Sequence, residues 1–168
     1  LALTLGVADI GGAIGVDRVT RALAGFADAA LEACIRFCLT DLANKGKFFP
    51  VDAEEPARES GYIVLAMGKH GAKELNYSSD IDLIVFYDPM KAPLKDKLDA
   101  PVEFVRMTRR LVKMMQDRTE DGYIFRTDLR LRPDPGATPL AMSVPAALTY
   151  YESLGQNWER AALIKARP

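Results

Sequence analysis

The chain has 168 residues, enough for one domain or for one domain with a helical extension. At 49% hydrophobic and 27% charged it has the makeup of an ordinary globular protein, and no apolar stretch approaches the roughly 20 residues of a membrane span. A formal net charge of -1 supplies no bulk attraction to nucleic acid.

The opening Leu1-Ala2-Leu3-Thr4-Leu5-Gly6-Val7 is apolar but lacks a basic n-region and a cleavage site, so it does not read as a signal peptide. The chain starts on Leu and stops in a charged helical pattern, which leads us to expect a piece of a longer protein. Residues 1–16 are Gly- and Ala-rich and poorly patterned. Asp17 can cap a helix running to about Asn44, whose apolar positions Val19, Leu23, Phe26, Ala30, Leu31, Cys34, Phe37 and Cys38 recur at three and four. Gly46 suits its end. Cys34 and Cys38, four apart, lack the further ligands of a metal site and read as buried free thiols of a reducing compartment. Residues 1–46 are expected to form an N-terminal helical extension and 47–60, with Pro50, Pro56 and several acids, a connector.

Two β-rich runs follow, at about 61–67 and 80–87, the second ended by Asp88-Pro89. Between them lie a loop from Gly68 to Asn76 and a short helical turn around Ala72-Leu75. A Lys- and Pro-containing loop leads to a helix from about Pro101 to Arg118, with Phe104, Val105, Thr108, Leu111, Val112 and Met115 on one face. Tyr123 to Arg132 reads as a third strand whose end alternates, placing Asp128, Arg130 and Arg132 on one face and Leu129 and Leu131 on the other. After a Gly/Pro loop, Ser143 can cap a helix with Pro145 in its first turn. Gln156 to Arg167 reads as a last helix, with Trp158, Ala162, Leu163 and Ala166 inward.

The chemistry centres on Ser78-Ser79-Asp80-Ile81-Asp82. Residues i and i+2 of a strand share a face, so Asp80 and Asp82 project side by side. Alone, an Asp-x-Asp at a strand start is commoner as a turn or cap than as a metal site. Here Gly68-Lys69-His70-Gly71 and two serines precede it, supplying small residues, hydroxyls and backbone N–H groups suited to phosphates. If the third strand lies beside the second, Asp128 joins as a third carboxylate and the arginines become phosphate forks. Such a set suits Mg²⁺, a hard cation that prefers oxygen ligands. His70, the only histidine, is not required by this chemistry.

The glycine-to-Asp80-Ile81-Asp82 stretch with the later Asp128 resembles the DNA-polymerase-β-like nucleotidyltransferase superfamily. More closely, Met67-Gly68-Lys69 through Leu83-Ile84, Arg126-Thr127-Asp128-Leu129-Arg130-Leu131-Arg132-Pro133 and Trp158-Glu159-Arg160 through Arg167 are similar to the bifunctional glutamine synthetase adenylyltransferase/adenylyl-removing family. The likeness covers about residues 60–168. It implies an α+β polymerase-β-like nucleotidyltransferase fold over 61–168, cut short at its end: a small mixed sheet flanked by helices. It implies Mg²⁺ held by Asp80, Asp82 and Asp128. Gly68 and Ser79 would approach the nucleotide phosphates, with Lys69, Arg130 and Arg132 as further phosphate contacts.

Asn76-Tyr77-Ser78-Ser79-Asp80 and Asn157-Trp158-Glu159-Arg160 are more similar to the half of that family that removes AMP from a tyrosine of glutamine synthetase by phosphorolysis, releasing ADP. Ala66 and His70 depart from the family's usual Gly and Leu. The alternatives are the forward, ATP-dependent adenylylation, and a non-catalytic module that docks glutamine synthetase or a PII-type signalling protein. A polymerase-β-like enzyme acting on RNA is disfavoured by the near-neutral charge. The resemblance thus implies glutamine synthetase, ADP or ATP, and phosphate as partners, neither nucleic acid nor membrane, and a cytoplasmic setting.

Overall fold

The computed structural model describes residues 2–168; Leu1 of the opening stretch lies outside the described residues. It is an α+β arrangement: a small mixed sheet with helices packed against it. The poorly patterned N-terminus forms a helix, α1 (Ala2–Ile10), whose Leu3, Val7 and Ile10 are exposed. An amphipathic pattern is therefore absent where a helix forms, which is why periodicity misses it. α2 (Val16–Asn44) follows the expected span. Its N-cap is Gly15, with Asp17 inside the first turn, where a carboxylate favours the helix dipole. Gly46 takes a positive φ of 66° just beyond its end.

The sheet is built on β2 (Ile81–Tyr87). β1 (Tyr62–Met67) pairs antiparallel along one edge, from Tyr62 opposite Tyr87 to Met67 opposite Asp82. Two short strands share the other edge, both parallel to β2. β3 (Thr127–Asp128) meets Ile81 and Asp82, and β4 (Met142–Ser143) meets Phe86 and Tyr87. Alternation along β2 sends Ile81, Leu83, Val85 and Tyr87 into the same core as α2 and α4 (Ala100–Gln116), and turns Asp82 the opposite way. α4 contributes Phe104, Met107, Leu111 and Met115, while Val105 and Val112 stay half-buried. Phe26 and Phe37, expected inward on α2, are exposed. A 29-residue helix has room for only one buried stripe, here Val19, Leu23, Ala27, Leu31, Cys34, Cys38 and Leu42. Phe37 instead lies under the Arg110 guanidinium, 4.9 Å from its ring centre.

Three further expectations are corrected. The helical turn after β1 is α3 (Gly68–Gly71), four residues earlier than expected. The third strand stops at Asp128, so Arg130 and Arg132 do not continue its face. At the end of the chain, α5 (Val144–Ser153), capped by Ser143 as expected, leads to α6 (Asn157–Ala162) and a 3₁₀ turn (Leu163–Lys165) in place of one long helix. Trp158 is 53% exposed, and its neighbour Glu159 is the buried residue. A capping box explains the exchange: Glu159 accepts from the Gln156 backbone N–H at 2.7 Å and from the Tyr150 hydroxyl at 3.0 Å.

The chain end returns to the sheet as a bridge between Ala66 and Arg167, with the two N–H···O bonds at 2.7 and 3.0 Å. Gly71 lies beneath it. A Cβ there would meet the Lys165 carbonyl oxygen at 2.0 Å and that of Ala66 at 2.4 Å, both backbone atoms that cannot swing aside. Gly71→Ala is therefore expected to cost about 3 kcal/mol or more of stability. Urea unfolding of the two proteins tests this, and matching midpoints would show that the bridge does not constrain the fold.

Candidate functional site

The three aspartates meet at the N-terminal end of β2. Asp82 and Asp128 are register partners across the parallel β2–β3 pair. Asp80 lies just before the strand, with the same parity as Asp82. Burial, then the charges of Asp128 and Asp80, push the Asp82 carboxyl above its ordinary range, partly opposed by Arg130 and Lys69. Among the described residues, no hydrogen bond or ion pair reaches the Asp82 carboxylate. Its outer neighbours each hold an arginine. Arg126 donates from Nε to Asp80 Oδ1 at 2.5 Å and from Nη2 to the Ser78 carbonyl at 2.9 Å. Arg130 forks onto Asp128, Nε to Oδ2 at 2.8 Å and Nη2 to Oδ2 at 2.5 Å. Its hydrogen bond, outweighing partial burial, holds the Asp128 carboxyl below the ordinary range.

The local chain chemistry explains these positions. The Arg130 backbone N–H turns back to Asp128 Oδ1 at 2.8 Å, an Asx turn that ends β3 after two residues. Upstream, Asn76 Oδ1 accepts from the Ser78 N–H at 3.1 Å and the Ser79 hydroxyl at 2.9 Å, folding the serine loop ahead of Asp80. Gly68 opens α3 with a φ of +53°, and a Cβ there would stand 2.8 Å from Asp82 Oδ2. A side chain at this position would fill the space directly over the central carboxylate.

The remaining candidates divide. Gly68 and Lys69, at the start of α3, and Ser79, in the turn before β2, lie beside the aspartates. Arg130 reaches the cluster through Asp128. Arg132 does not: it donates to the backbone carbonyls of Leu129 and Pro135, each at 2.8 Å, and so holds the following loop. Glu74 pairs with Lys165 at 3.0 Å. His70 is fully buried and faces Asp28 of α2, with Nε2 2.7 Å from Oδ1. Burial lowers its pKa, against the pull of Asp28, so the ring is held toward its neutral form. Cys34 and Cys38 are free and buried, and burial pushes the Cys38 thiol up to about 11. Arg126 was not among the expected site residues. The alternation that groups Asp128 with Arg130 also places Arg126 two residues upstream of Asp128, where its guanidinium pairs with Asp80.

Among the described residues, no group of three acidic, His or Cys side chains is gathered closely enough to hold a metal as it stands. The donor chemistry nevertheless suits a hard divalent cation: three carboxylates at one strand end, the central one raised by burial and then by its like-charged neighbours, and lacking a cationic hydrogen-bond partner. Arg126 and Arg130 supply the positive charge in this structure.

Fold and site together define a small α+β domain with a carboxylate cluster at the mouth of its sheet. The family model for glutamate-ammonia ligase adenylyltransferase matches residues 1–168. Over 164 residues the chain is 56% identical to the bifunctional glutamine synthetase adenylyltransferase/adenylyl-removing enzyme of Mesorhizobium japonicum, covering 98% of this chain and 17% of that protein. The proteins of the same name from Xanthobacter autotrophicus and Rhizobium meliloti are 56% and 55% identical over 167 and 168 residues. They too are matched over 17% of their length, with 99% and 100% of this chain covered. The chain belongs to the glutamate-ammonia ligase adenylyltransferase family and spans 17% of the length of these curated relatives.

The raised Asp82 gives a pH signature. A folded carboxyl above its unfolded value binds its proton more tightly in the fold, so it opposes stability at neutral pH. That opposition fades as pH falls through the raised folded value to the ordinary one. Asp82→Asn is therefore expected to raise the thermal midpoint at pH 7, and the gain is expected to shrink as pH is lowered into the carboxylate range. A gain that stayed constant across this window would show that the Asp82 carboxyl is not raised in the fold.

Proposed function

We propose that this domain transfers an adenylyl group to or from a tyrosine of glutamine synthetase, and that its direction is phosphorolytic removal. The observation that carries the reading is the register pairing of Asp82 with Asp128, with Asp80 two residues away, under a glycine that leaves the approach open. The names of the relatives support the protein substrate. The removing direction is supported by the likeness of the Ser78-Ser79-Asp80 and Trp158-Glu159-Arg160 stretches to the removing half. A polymerase-β-like fold is part of the same proposal.

In this reading Asp80, Asp82 and Asp128 hold Mg²⁺, which when bound supplies positive charge to the phosphoryl oxygens. Gly68 admits the phosphoryl group next to Asp82. Lys69, Arg126 and Arg130, freed from or sharing their carboxylates, orient anionic oxygens. An oxygen of inorganic phosphate attacks the phosphorus of the adenylyl group. The tyrosyl oxygen departs with the bond electrons and takes up a proton, and the products are ADP and unmodified tyrosine. The framework for this chemistry is rigid, since Asp82 lies on the central strand and is paired on both sides.

Adenylylated glutamine synthetase, Mg²⁺ and phosphate are expected to yield ADP with this domain in its parent protein. Asp82→Asn is expected to lower the rate by on the order of a hundredfold or more while the fold persists. AMP incorporation from ATP into unmodified glutamine synthetase, in place of ADP release, would reverse the direction. Full activity in Asp82→Asn would overturn the site.

A further inference from the structure

The two arginines at the carboxylates hold their partners in different ways. Arg126 is tied to one loop at successive points. Its Nε donates to Asp80 Oδ1 and its Nη2 to the Ser78 carbonyl, and its own carbonyl accepts from the Ile81 N–H at 2.9 Å. The loop is also closed from inside: Ser79 donates its N–H to the Asn76 carbonyl at 3.2 Å and its hydroxyl to Asn76 Oδ1 at 2.9 Å. Arg126 thus clamps the residues that carry the chain into β2. It touches only one oxygen of Asp80. Among the described residues, nothing hydrogen-bonds to Asp80 Oδ2.

Arg130 differs on each count. Among the described residues its guanidinium reaches Asp128 alone, and its side chain is 83% exposed. It covers both carboxylate oxygens, with Nε 3.1 Å from Oδ1 and 2.8 Å from Oδ2, and Nη2 on Oδ2. The bond from the Arg130 backbone N–H to Oδ1 does not involve the guanidinium and keeps the Asp128 side chain turned when that group leaves. Swinging the Arg130 side chain into solvent breaks only an exposed ion pair, which water replaces at little cost.

A hard cation needs carboxylate oxygens that are available to it. Asp82 offers both of its oxygens and Asp80 offers Oδ2, whereas both oxygens of Asp128 are engaged. Among the described residues the three do not close on a metal as they stand, and Asp128 is the member already taken.

We infer that the two arginines act in opposite senses on a divalent cation at the aspartates. Arg126 is a positioning residue that presents Asp80 Oδ2, and Arg130 is a displaceable guard that competes with the cation for Asp128. The inference rests on the proposed reading of Asp80, Asp82 and Asp128 as metal ligands. The sign of the effect distinguishes the arginines. Removing a cationic side chain beside a metal site ordinarily strengthens metal binding, because a like charge is lost. For Arg130 that sign holds, reinforced by the oxygens it releases. For Arg126 it reverses, since the loop that aims Asp80 is released together with the charge.

Mn²⁺ takes the same oxygen ligands as Mg²⁺, and its binding to this chain is followed through the paramagnetic resonance signal of the free ion, without nucleotide or glutamine synthetase. Arg130→Met is expected to bind Mn²⁺ on the order of tenfold tighter than the unaltered chain, and Arg126→Met on the order of tenfold more weakly. Arg126→Lys keeps the charge but not the fork that reaches two acceptors, and is expected to weaken binding at least as much as Arg126→Met. The Arg126 and Arg130 side chains are 57% and 83% exposed, so these replacements leave the core intact.

An Arg126→Met variant that binds as tightly as the unaltered chain, or tighter, would overturn the positioning role. An Arg130→Met variant that binds no tighter would overturn the guard. Asp82→Asn is the control for the site itself. Absent Mn²⁺ binding, or binding that Asp82→Asn leaves unchanged, overturns the metal reading and this inference with it. Binding that depends on Asp82 while both arginine variants shift in the same direction overturns this inference alone.

Discussion

The structure turns on one unfavourable contact, the placement of the Asp82 carboxylate opposite that of Asp128 across a parallel strand pair. Two like charges at neighbouring register positions repel, and partial burial of Asp82 weakens the screening that would soften this. The surrounding residues answer that repulsion. Arg130 neutralises Asp128, Arg126 neutralises Asp80, and Gly68 withholds a side chain that would crowd Asp82. Burying unlike charges would have been simpler for stability alone. The fold places three like charges near one strand end and leaves the central one without an ion pair among the described residues.

Holding such a contact requires a stiff support. β2 supplies it, with partners along both edges and Ile81, Leu83 and Val85 fully buried beneath the site. The α2–α4 layer presses on that face. Its few buried polar groups are satisfied: Glu103 accepts from Lys47 at 2.6 Å and from Arg106 at 3.0 Å, and the Tyr62 hydroxyl meets Thr108 at 2.8 Å. Because the core face of β2 is saturated with apolar contacts, a one-residue slip would bring Asp82 into the core. Register, and with it the pairing of Asp82 and Asp128, is therefore set by burial.

Much of this was legible in the sequence because long amphipathic helices and apolar strands carry strong periodic signals. α2, α4, β1 and β2 lie where the pattern places them. So do the Asp80-x-Asp82 pair and its glycine. The illegible parts are those decided by local hydrogen bonds or by a neighbour far along the chain. A single Asx turn ends β3 at Asp128 and detaches Arg132 from the site. A capping box exchanges Trp158 for Glu159 in the interior. β4 is two residues long and exists only because β2 offers it an edge. Arg126 shares the parity of Asp128 and Arg130, and what brings it to Asp80 is its contact with the serine loop rather than the strand pattern.

The cluster of buried His70 with half-buried Asp28 and Arg167 shows how distant parts of the chain fix the glycine loop. One oxygen of Asp28 accepts from His70 Nε2 at 2.7 Å and from Arg167 Nη2 at 2.9 Å. The distances alone would allow two ion pairs. Burial decides otherwise: the imidazole is held toward its neutral form, and its Nδ1 has no partner, as expected for a ring whose single proton is on Nε2. Arg167 then supplies the only full positive charge, and although burial works to raise the Asp28 carboxyl, the hydrogen bonds from Arg167 and His70 hold it low. Asp28 belongs to α2, His70 to α3 and Arg167 to the strand bridge at Ala66. The cluster therefore ties the long helix and the chain end to the turn that begins at Gly68. Since Gly68 defines the space over Asp82, the long helix is linked to the neighbourhood of the carboxylates through the only histidine, which is buried and held toward its neutral form.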